Sequence, residues 1–165
     1  MRLITGITYL LPEWEIVLQQ IGLPFEVVCP QESIITDQFS VIIVTKKGIQ
    51  SEKDILLQYI NSGGSILIEA YVAHWLFNIE IIPAFVNTIE STEDPIFNGV
   101  LPGFIQTKLS LPKITDVLED ESCKKLVQIY ASGEGKAVIL PGGLTNTILD
   151  ARVKRRNFST RATHL

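Results

Sequence analysis

The sequence predicts an α/β fold: a three-layer sandwich with a mostly parallel central sheet and an antiparallel hairpin in its C-terminal half. In the first half, short β-branched runs alternate with amphipathic stretches, which is the pattern of strands joined by helical crossovers. The run SVIIVT (40–45) is apolar almost throughout, as is typical of a strand buried on both faces of a parallel sheet. In the second half, two strand-like runs flank a Gly-rich turn at 132–135, which predicts the hairpin.

The first strands and the first helix have clear local signals. Residues 3–9 are rich in Ile and Thr and predict a strand. Pro12 suits the first turn of a helix, which we expect to run to about Gln20 and to be stopped by Gly22. Residues 23–28 (LPFEVV) then predict a short second strand.

The next helix and strand point to a candidate site. Ser51 is expected to cap the second helix, with Asp54 at its third position, where an acid is favourable. A Gly-Gly pair ends this helix, and SILIEA (65–70) predicts another buried strand. Ligands of such folds bind at the carboxyl ends of the strands, which directs attention to residues 45–48 and 69–74.

The second half is less regular. Residues 78–92 contain a predicted strand with Pro83 at an edge or a bend, and residues 94–103 are rich in turn formers. Residues 144–153 (LTNTILDARV) are expected to close the domain with a short helix.

Charge divides the chain into two parts. The net charge is −4 over 165 residues, but residues 151–165 hold five basic residues and no acid. Removing this +5 from the total leaves −9 on residues 1–150, so we expect the main domain not to bind nucleic acid. We predict one α/β domain over 1–150 and, at 151–165, a basic extension that is solvated or begins a further region.

Composition bears on compartment and on chemistry. Hydrophobic residues make up 46% of the chain and charged residues 19%, as expected of a globular domain. No apolar run is long enough to span a membrane. Cys29 and Cys123 have neither metal-ligand spacing nor the numbers of a disulfide framework, so we predict a reducing, cytoplasmic compartment.

The helix, Gly-Gly turn and strand of QSEKDILLQYINSGGSILIEA (50–70) resemble the class I glutamine amidotransferase-like superfamily. LPFEVV and DPIFNGV resemble further segments of it, so the likeness covers about residues 1–150. It implies a flavodoxin-like sandwich. An active member needs a cysteine nucleophile on a tight strand-to-helix turn and a histidine and a glutamate from a later strand end.

In this alignment all three catalytic groups are missing. The nucleophile position holds Tyr71, whose ordinary pKa near 10 leaves little phenolate at neutral pH. The later His-Pro-Glu stretch falls at 140–142, where only Pro141 corresponds, and the oxyanion loop reads TKKG (45–48). The resemblance therefore implies a catalytically degenerate domain, with no catalytic residue assigned.

Domains of this type also occur joined to bacterial polysaccharide deacetylase domains, so the resemblance implies an association with polysaccharide deacetylation. The deacetylase site itself needs an aspartate and paired histidines. This chain has only His74 and His164, which lie on opposite sides of the predicted domain boundary. We therefore predict no metal and no cofactor for the chain.

Five residues are candidates for a ligand-binding site. They are Thr45, Lys46, Glu69, Tyr71 and His74. Three of them also have a structural interpretation. Glu69, a strand-end acid, can accept hydrogen bonds from the free N–H groups of the next helix. His74, beside Trp75, can be a packed histidine, and Lys46 with Lys47 can be a solvated turn.

Three functions follow from these residues. The first is a non-catalytic binding or accessory module that takes a small polar ligand or a partner domain. The second is a hydrolase with an unrecognised site near Glu69, Tyr71 and His74. The third is a structural domain that forms a homodimer through a sheet edge or an apolar helix. A pocket at the strand ends would favour binding, and side chains that plug it would favour the structural role.

Overall fold

The computed structural model describes residues 4–30, 38–89, 103–113 and 127–143. Within these ranges, strands and helices alternate in the first half, as predicted, and strands prevail in the second. In chain order the elements are β1 (Ile4–Ile7), α1 (Pro12–Gln20), β2 (Phe25–Val27), β3 (Phe39–Val44), α2 (Gln50–Asn61), β4 (Ser65–Glu69), α3 (Ala70–Phe77), β5 (Ile81–Ile89), β6 (Gly103–Pro112), β7 (Gln128–Ser132) and β8 (Gly135–Leu140).

The main sheet has six strands in the order β2-β1-β3-β4-β8-β7. The first five are parallel, and β7 runs antiparallel to β8 as the second strand of the predicted hairpin. This confirms the predicted mostly parallel α/β sheet. The chain moves outward from β1 in one direction to β2 and in the other to β3, so the topological switch point lies between β1 and β3.

Helix starts were predicted unequally well. Helix α1 begins at Pro12 and ends at Gln20, as the sequence indicates. Helix α2 begins at Gln50 with Ile49 at the cap position, so the expectation that Ser51 caps it is wrong. The reason is that the Glu52 carboxylate reaches back to accept a hydrogen bond from the Ile49 N–H at 3.0 Å.

The core lies on both faces of the main sheet. On one face α2 and α3 cover the central strands, and the fully buried residues there include Ile42, Leu56, Tyr59, Ile60, Ile66, Ile68, Val72, Leu76 and Ile139. On the other face α1 covers a smaller group, in which Leu18 packs with Ile7 and Ile43. These two groups make the middle layer apolar on both sides, which explains the uninterrupted apolar runs in the sequence.

Strand β6 was not predicted, and it pairs with β5 in a separate antiparallel ribbon. Pro83 lies opposite Ser110 within this ribbon, which agrees with its predicted place at an edge. The base of the ribbon packs on α3, where Leu109 and Leu111 are buried. Ser110 also exchanges backbone hydrogen bonds with Gly142 after β8, so the ribbon is joined to the main sheet.

The structure leaves some sequence predictions unaddressed. The turn-rich stretch before residue 103, the helix at 144–153, the basic extension and Cys123 all lie outside the described residues. In the described part, no helix has both the length and the apolar character needed to cross a membrane.

Candidate functional site

The candidate site lies at the carboxyl ends of the parallel strands, on both sides of the switch point. Tyr9 follows β1 closely, Thr45 follows β3 directly, and Tyr71 is in the first turn of α3 after β4. Parallel strands bring these ends to one edge of the sheet, so residues far apart in sequence meet there.

A series of hydrogen bonds connects these strand ends. The Tyr71 hydroxyl donates to the Thr45 carbonyl oxygen at 2.5 Å, and the Thr45 hydroxyl donates to the Tyr9 carbonyl oxygen at 2.7 Å. The Tyr9 hydroxyl in turn contacts both carboxylate oxygens of Glu52, at 2.8 and 2.9 Å. We call Tyr71, Thr45, Tyr9 and Glu52 the hydrogen-bond chain; it fastens β1, β3, α2 and α3 together at one edge.

Glu52 is the buried end of the hydrogen-bond chain, with only 4% of its surface exposed. A charged group so deeply buried needs hydrogen-bond donors, and Tyr9 and the Ile49 N–H supply them. Gly48 makes room for it: a Cβ added there would lie 1.7 Å from Glu52 Oε2. The glycine in TKKG therefore accommodates a buried carboxylate of the same turn.

The two tyrosines of the hydrogen-bond chain, Tyr9 and Tyr71, stay neutral at physiological pH. Burial, followed by the nearby charges of Glu69 and Glu13, raises the pKa of Tyr71 to about 12. The hydrogen bond to Glu52 is the main cause that raises the pKa of Tyr9 above 10, with burial second. A phenol whose pKa is raised above 10 is a hydrogen-bond donor and a poor nucleophile at pH 7.

The backbone at Tyr71 is that of an ordinary helix start. Glu69 has extended backbone angles (φ −88°, ψ 159°), and α3 begins at Ala70. Among the described non-glycine residues, Asn78 at the other end of α3 is the one with positive φ. A nucleophile elbow presents its nucleophile on a sharp, strained turn, and this turn shows no such strain.

Glu69 supports the loop that follows β8. It is 4% exposed, and one carboxylate oxygen accepts a hydrogen bond from the Gly143 N–H at 3.3 Å. The structural interpretation of Glu69 expected this kind of bond from the helix that follows. Gly143 is 74 residues away in sequence, so neither the partner nor the contact could be predicted locally.

Lys46 and His74 occupy the surface. The Lys46 ammonium lies 4.0 Å from the centre of the Tyr9 ring, a cation–π contact. His74 is exposed, and its Nδ1 is 2.8 Å from the Ile79 carbonyl oxygen beyond the end of α3. Four of the five candidates therefore gather near Tyr9 and Tyr71, whereas His74 Nδ1 is directed to the backbone beyond the C-terminal end of α3.

Sequence reasoning missed two members of the hydrogen-bond chain, Tyr9 and Glu52. Tyr9 lies directly at the end of a predicted strand, and Glu52 lies three residues after Ile49, a spacing that allows an acid to bond back to a helix start. Both positions carried a usable signal, but their mutual contact spans 43 residues.

Metal ligands and thiols are the other reactive groups to consider in the part of the chain that is described. No group of three or more His, Cys, Asp or Glu residues there is arranged to hold a metal ion. Cys29 is exposed after β2 and lies close enough to contribute to the raised pKa of Tyr9.

No protein-family profile and no curated protein matches the chain. Among solved structures, the exo-β-1,4-mannosidase Op5Man5 from Opitutaceae bacterium strain TAV5 is similar, with a TM-score of 0.61 and 14% sequence identity. The match covers 93% of this chain and 33% of the mannosidase, so the chain spans one third of that protein's length. A ThuA-like protein from Bacteroides uniformis ATCC 8492 has a TM-score of 0.46 and 11% identity, with 88% and 86% of the two chains covered. At 14% identity the likeness to part of the mannosidase shows a shared fold alone.

Proposed function

We propose that this chain is a non-catalytic, amidotransferase-like accessory domain of a larger carbohydrate-acting protein. The hydrogen-bond chain is the observation that carries the proposal. Tyr71 stands where the resemblance requires a nucleophile, and its hydroxyl is bonded to the Thr45 carbonyl instead of facing a reactant. A group held in this way stabilises the strand ends and supplies no catalytic base or nucleophile.

The carbohydrate part of the proposal is supported by the fold comparison. A glycosidase chain three times as long contains a region of this fold, so the fold can accompany a glycan-cleaving enzyme. The association with polysaccharide deacetylation, which the sequence resemblance implies, is a narrower form of the same proposal. Both place the chemistry on another domain.

The hydrolase alternative has less support because two of its three residues are held by other bonds. Glu69 accepts a hydrogen bond from Gly143, and Tyr71 donates one to Thr45. General acid–base catalysis needs a titrating group within hydrogen-bond reach of the substrate.

The structural dimerisation alternative is favoured by one observation. Val27 on edge strand β2 is 61% exposed, and Ile129 on edge strand β7 is 49% exposed. Among the described strands β2 and β7 are the outermost of the main sheet, and apolar side chains on outer strands are suited to pairing with another chain, so a homodimer is our second candidate.

The absence of glutaminase activity is tested with the wild type and with the Tyr71→Cys variant. We expect no ammonia release from glutamine by the wild type. We also expect none from Tyr71→Cys, because the ordinary helix start gives the new thiol no strained elbow. Glutamine turnover by the wild type that Cys29→Ser or Cys123→Ser abolishes would overturn the proposal.

The accessory role is tested by chemistry on glycans. The chain alone is expected neither to cleave β-1,4-linked manno-oligosaccharides nor to release acetate from acetylated chito-oligosaccharides. Measurable turnover of either substrate that falls in Glu69→Gln would establish the hydrolase alternative instead.

A further inference from the structure

The loop after β8 contacts both the base of the ribbon and the start of α3. Gly142 exchanges two backbone hydrogen bonds with Ser110 of β6, at 3.2 and 2.8 Å. A Cβ added to Gly142 would lie 3.2 Å from the Ser110 Cβ and 3.8 Å from the Ala70 Cβ. Gly142 is also buried, so the loop cannot move without disturbing β6 or α3.

Ser110 can make these bonds because it lies opposite a proline. In an antiparallel ladder, the N–H and C=O groups of one residue point towards the same neighbouring strand. Both groups of Ser110 bond to Gly142, so neither is directed at Pro83, its partner in β5. Proline has no N–H to donate, so β5 loses no ladder bond at this position. The ribbon therefore stays paired while β6 also bonds to the loop after β8.

The same loop reaches the candidate site one residue later. The Gly143 N–H donates to the Glu69 carboxylate at 3.3 Å, and Glu69 is the residue before α3. Tyr71, in the first turn of α3, donates to the Thr45 carbonyl oxygen and so begins the hydrogen-bond chain. A shift of the loop that displaces Glu69 therefore displaces the helix start that carries Tyr71.

The ribbon is long enough for a partner to act on it. Strand β5 has nine residues and spans about 30 Å, whereas the eight residues of α3 span about 12 Å. Helix α3 can therefore lie against only part of the ribbon. The base of the ribbon is fixed to the body by the buried Leu109 and Leu111 and by a 2.9 Å hydrogen bond from Gln128 Nε2 to the Pro112 carbonyl oxygen. A displacement of the ribbon is therefore passed on to α3 and to the loop after β8.

We propose that Ser110, Gly142 and Gly143 form a latch through which the ribbon holds the candidate site together. With the latch in place, Glu69 keeps its bond to Gly143 and Tyr71 keeps its place in the hydrogen-bond chain. A partner that displaces the ribbon breaks the Gly143 bond and loosens the strand ends. Linkage makes the effect reciprocal, so a ligand that holds the strand ends together also favours the latched ribbon. This inference goes beyond the accessory role, because the latch operates in the isolated chain as well.

A disulfide that locks the latch tests the proposal in the full chain. In a Cys29→Ser/Cys123→Ser background, Ser110→Cys is combined with Gly142→Cys. The two Cβ positions are 3.2 Å apart, and disulfides join Cβ atoms about 3.5–4.5 Å apart, so a shift of about 0.3 Å is enough. Gly142 is not among the described glycines with positive φ, so a side chain is tolerated there.

The readout is the amide hydrogen exchange of Ile49, whose N–H bonds to Glu52 at the opposite end of the hydrogen-bond chain. Oxidation to the locked form should slow this exchange about tenfold relative to the reduced form, because opening of the strand ends requires the latch to open. Ala131→Cys with Lys136→Cys, a pair across the β7–β8 hairpin, is the matched control and should leave the Ile49 rate nearly unchanged. An unchanged Ile49 rate in the locked form, or an equal slowing in the control, overturns the proposal.

A variant that loosens the latch keeps the test decisive if the disulfide does not form. Leu111→Ala removes packing at the base of the ribbon and should raise the Ile49 exchange rate about tenfold or more. Ile129→Ala, at an exposed position on β7, should not change it. The Ile49 amide should still exchange faster than that of Ile68, which is buried in β4. No rise at Ile49 contradicts the latch, and so do equal rates at Ile49 and Ile68, which would report global unfolding.

Discussion

At the scale of single residues, the hydrogen bond between Tyr9 and Glu52 determines how the edge of the sheet that holds the candidate site is built. A buried carboxylate is costly unless its oxygens accept hydrogen bonds. Here a half-buried phenol bonds both oxygens and a backbone N–H bonds one of them. The same phenol ring lies under Lys46, so a cation lies near the carboxylate without pairing with it.

Removing the Tyr9 hydroxyl should therefore destabilise the fold. We expect Tyr9→Phe to lower the free energy of unfolding by about 1.5–3 kcal/mol, since hydrogen bonds to charged groups contribute in this range. Urea denaturation followed by circular dichroism measures the change. In a double-mutant cycle with Glu52→Gln, the coupling energy should be about 1 kcal/mol.

Tyr130→Phe is the matched control for this experiment. Tyr130 packs against Phe77, and its hydroxyl makes no hydrogen bond in the structure within the described residues. Its removal should change stability by less than about 0.5 kcal/mol. Equal losses for Tyr9→Phe and Tyr130→Phe would contradict a special role for the Glu52 contact.

The residue scale also shows what a sequence can and cannot reveal about a site. Tyr71 was identified because the local strand and helix signals directed attention to residues 69–74 and the family resemblance assigned the nucleophile position to Tyr71. The contacts of Tyr71 with Thr45 and of Glu69 with Gly143 span 26 and 74 residues. Local patterns carry no information about which distant groups meet, so these contacts between the strand ends could not be foreseen.

At the scale of elements, the end of α3 depends on one residue in a left-handed conformation. Asn78 has φ 59° and ψ 30°, and its N–H bonds to the His74 carbonyl oxygen at 2.9 Å. Asparagine tolerates this conformation better than other non-glycine residues.

We expect Asn78→Ala to cost about 1 kcal/mol, because a Cβ without a polar side chain disfavours positive φ. Asn78→Gly should be neutral or stabilising, since glycine has no Cβ to clash. Thermal unfolding of the three proteins distinguishes these outcomes. A glycine variant that loses as much stability as the alanine variant would show that the Asn side chain, and not the backbone angle, is needed.

The β7–β8 hairpin depends on a close backbone approach. A Cβ added to Gly135 would lie 2.2 Å from the carbonyl oxygens of both Gly64 and Ile60. These are backbone atoms at the end of α2 and the start of β4, and they cannot move without shifting both elements.

Gly135→Ala should therefore cost about 3 kcal/mol, at the upper end of overpacking effects. Chemical denaturation gives the value. Gly22→Ala is the control: φ at Gly22 is +66°, but no atom lies within 4 Å of the added Cβ, so only the backbone conformation is penalised, by about 1 kcal/mol. If the two variants lost equal stability, the close approach would not be the cause.

Element prediction succeeded where the signal was local. The start of α1 at Pro12 and the turn of the β7–β8 hairpin follow from residues with fixed backbone preferences. The start of α2 was misplaced because a serine was preferred as a cap over the less common case of an acid reaching back from the third position. Strand β6 was missed although residues 105–111 (IQTKLSL) alternate between apolar or β-branched and polar side chains, a local strand signal that was not used.

At the scale of the whole molecule, the alternation of strands and helices was enough to predict a mostly parallel sheet, because few topologies satisfy short right-handed crossovers. The positions of the last two strands in the sheet could not be predicted in this way. Strand β8 pairs with β4 across the centre of the chain, and no local pattern distinguishes that neighbour from others. The sheet order is what places Gly143 above Glu69 and so completes the edge.

Titration of the tyrosines should make the stability of the whole fold depend on alkaline pH. The pKa values of Tyr9, Tyr59 and Tyr71 are all raised above 10, that of Tyr71 to about 12 by burial and then by Glu69 and Glu13. A raised pKa means that the folded state holds the proton more tightly than the unfolded chain does. The contribution of each of these tyrosines to stability is therefore fully present below pH 10 and is lost as the pH rises towards 12.

For Tyr71 alone, two pKa units correspond to at most about 2.7 kcal/mol. Partial solvent exposure reduces this to the order of 1 kcal/mol. Tyr71→Phe removes the titrating group, so the free energy of unfolding of the variant should fall less between pH 10 and 12 than that of the wild type. Urea midpoints measured at pH 8, 10, 11 and 12 provide the test. Parallel pH profiles for wild type and Tyr71→Phe would show that the Tyr71 hydroxyl is not held neutral by the fold, and the hydrogen-bond chain would lose its buried donor.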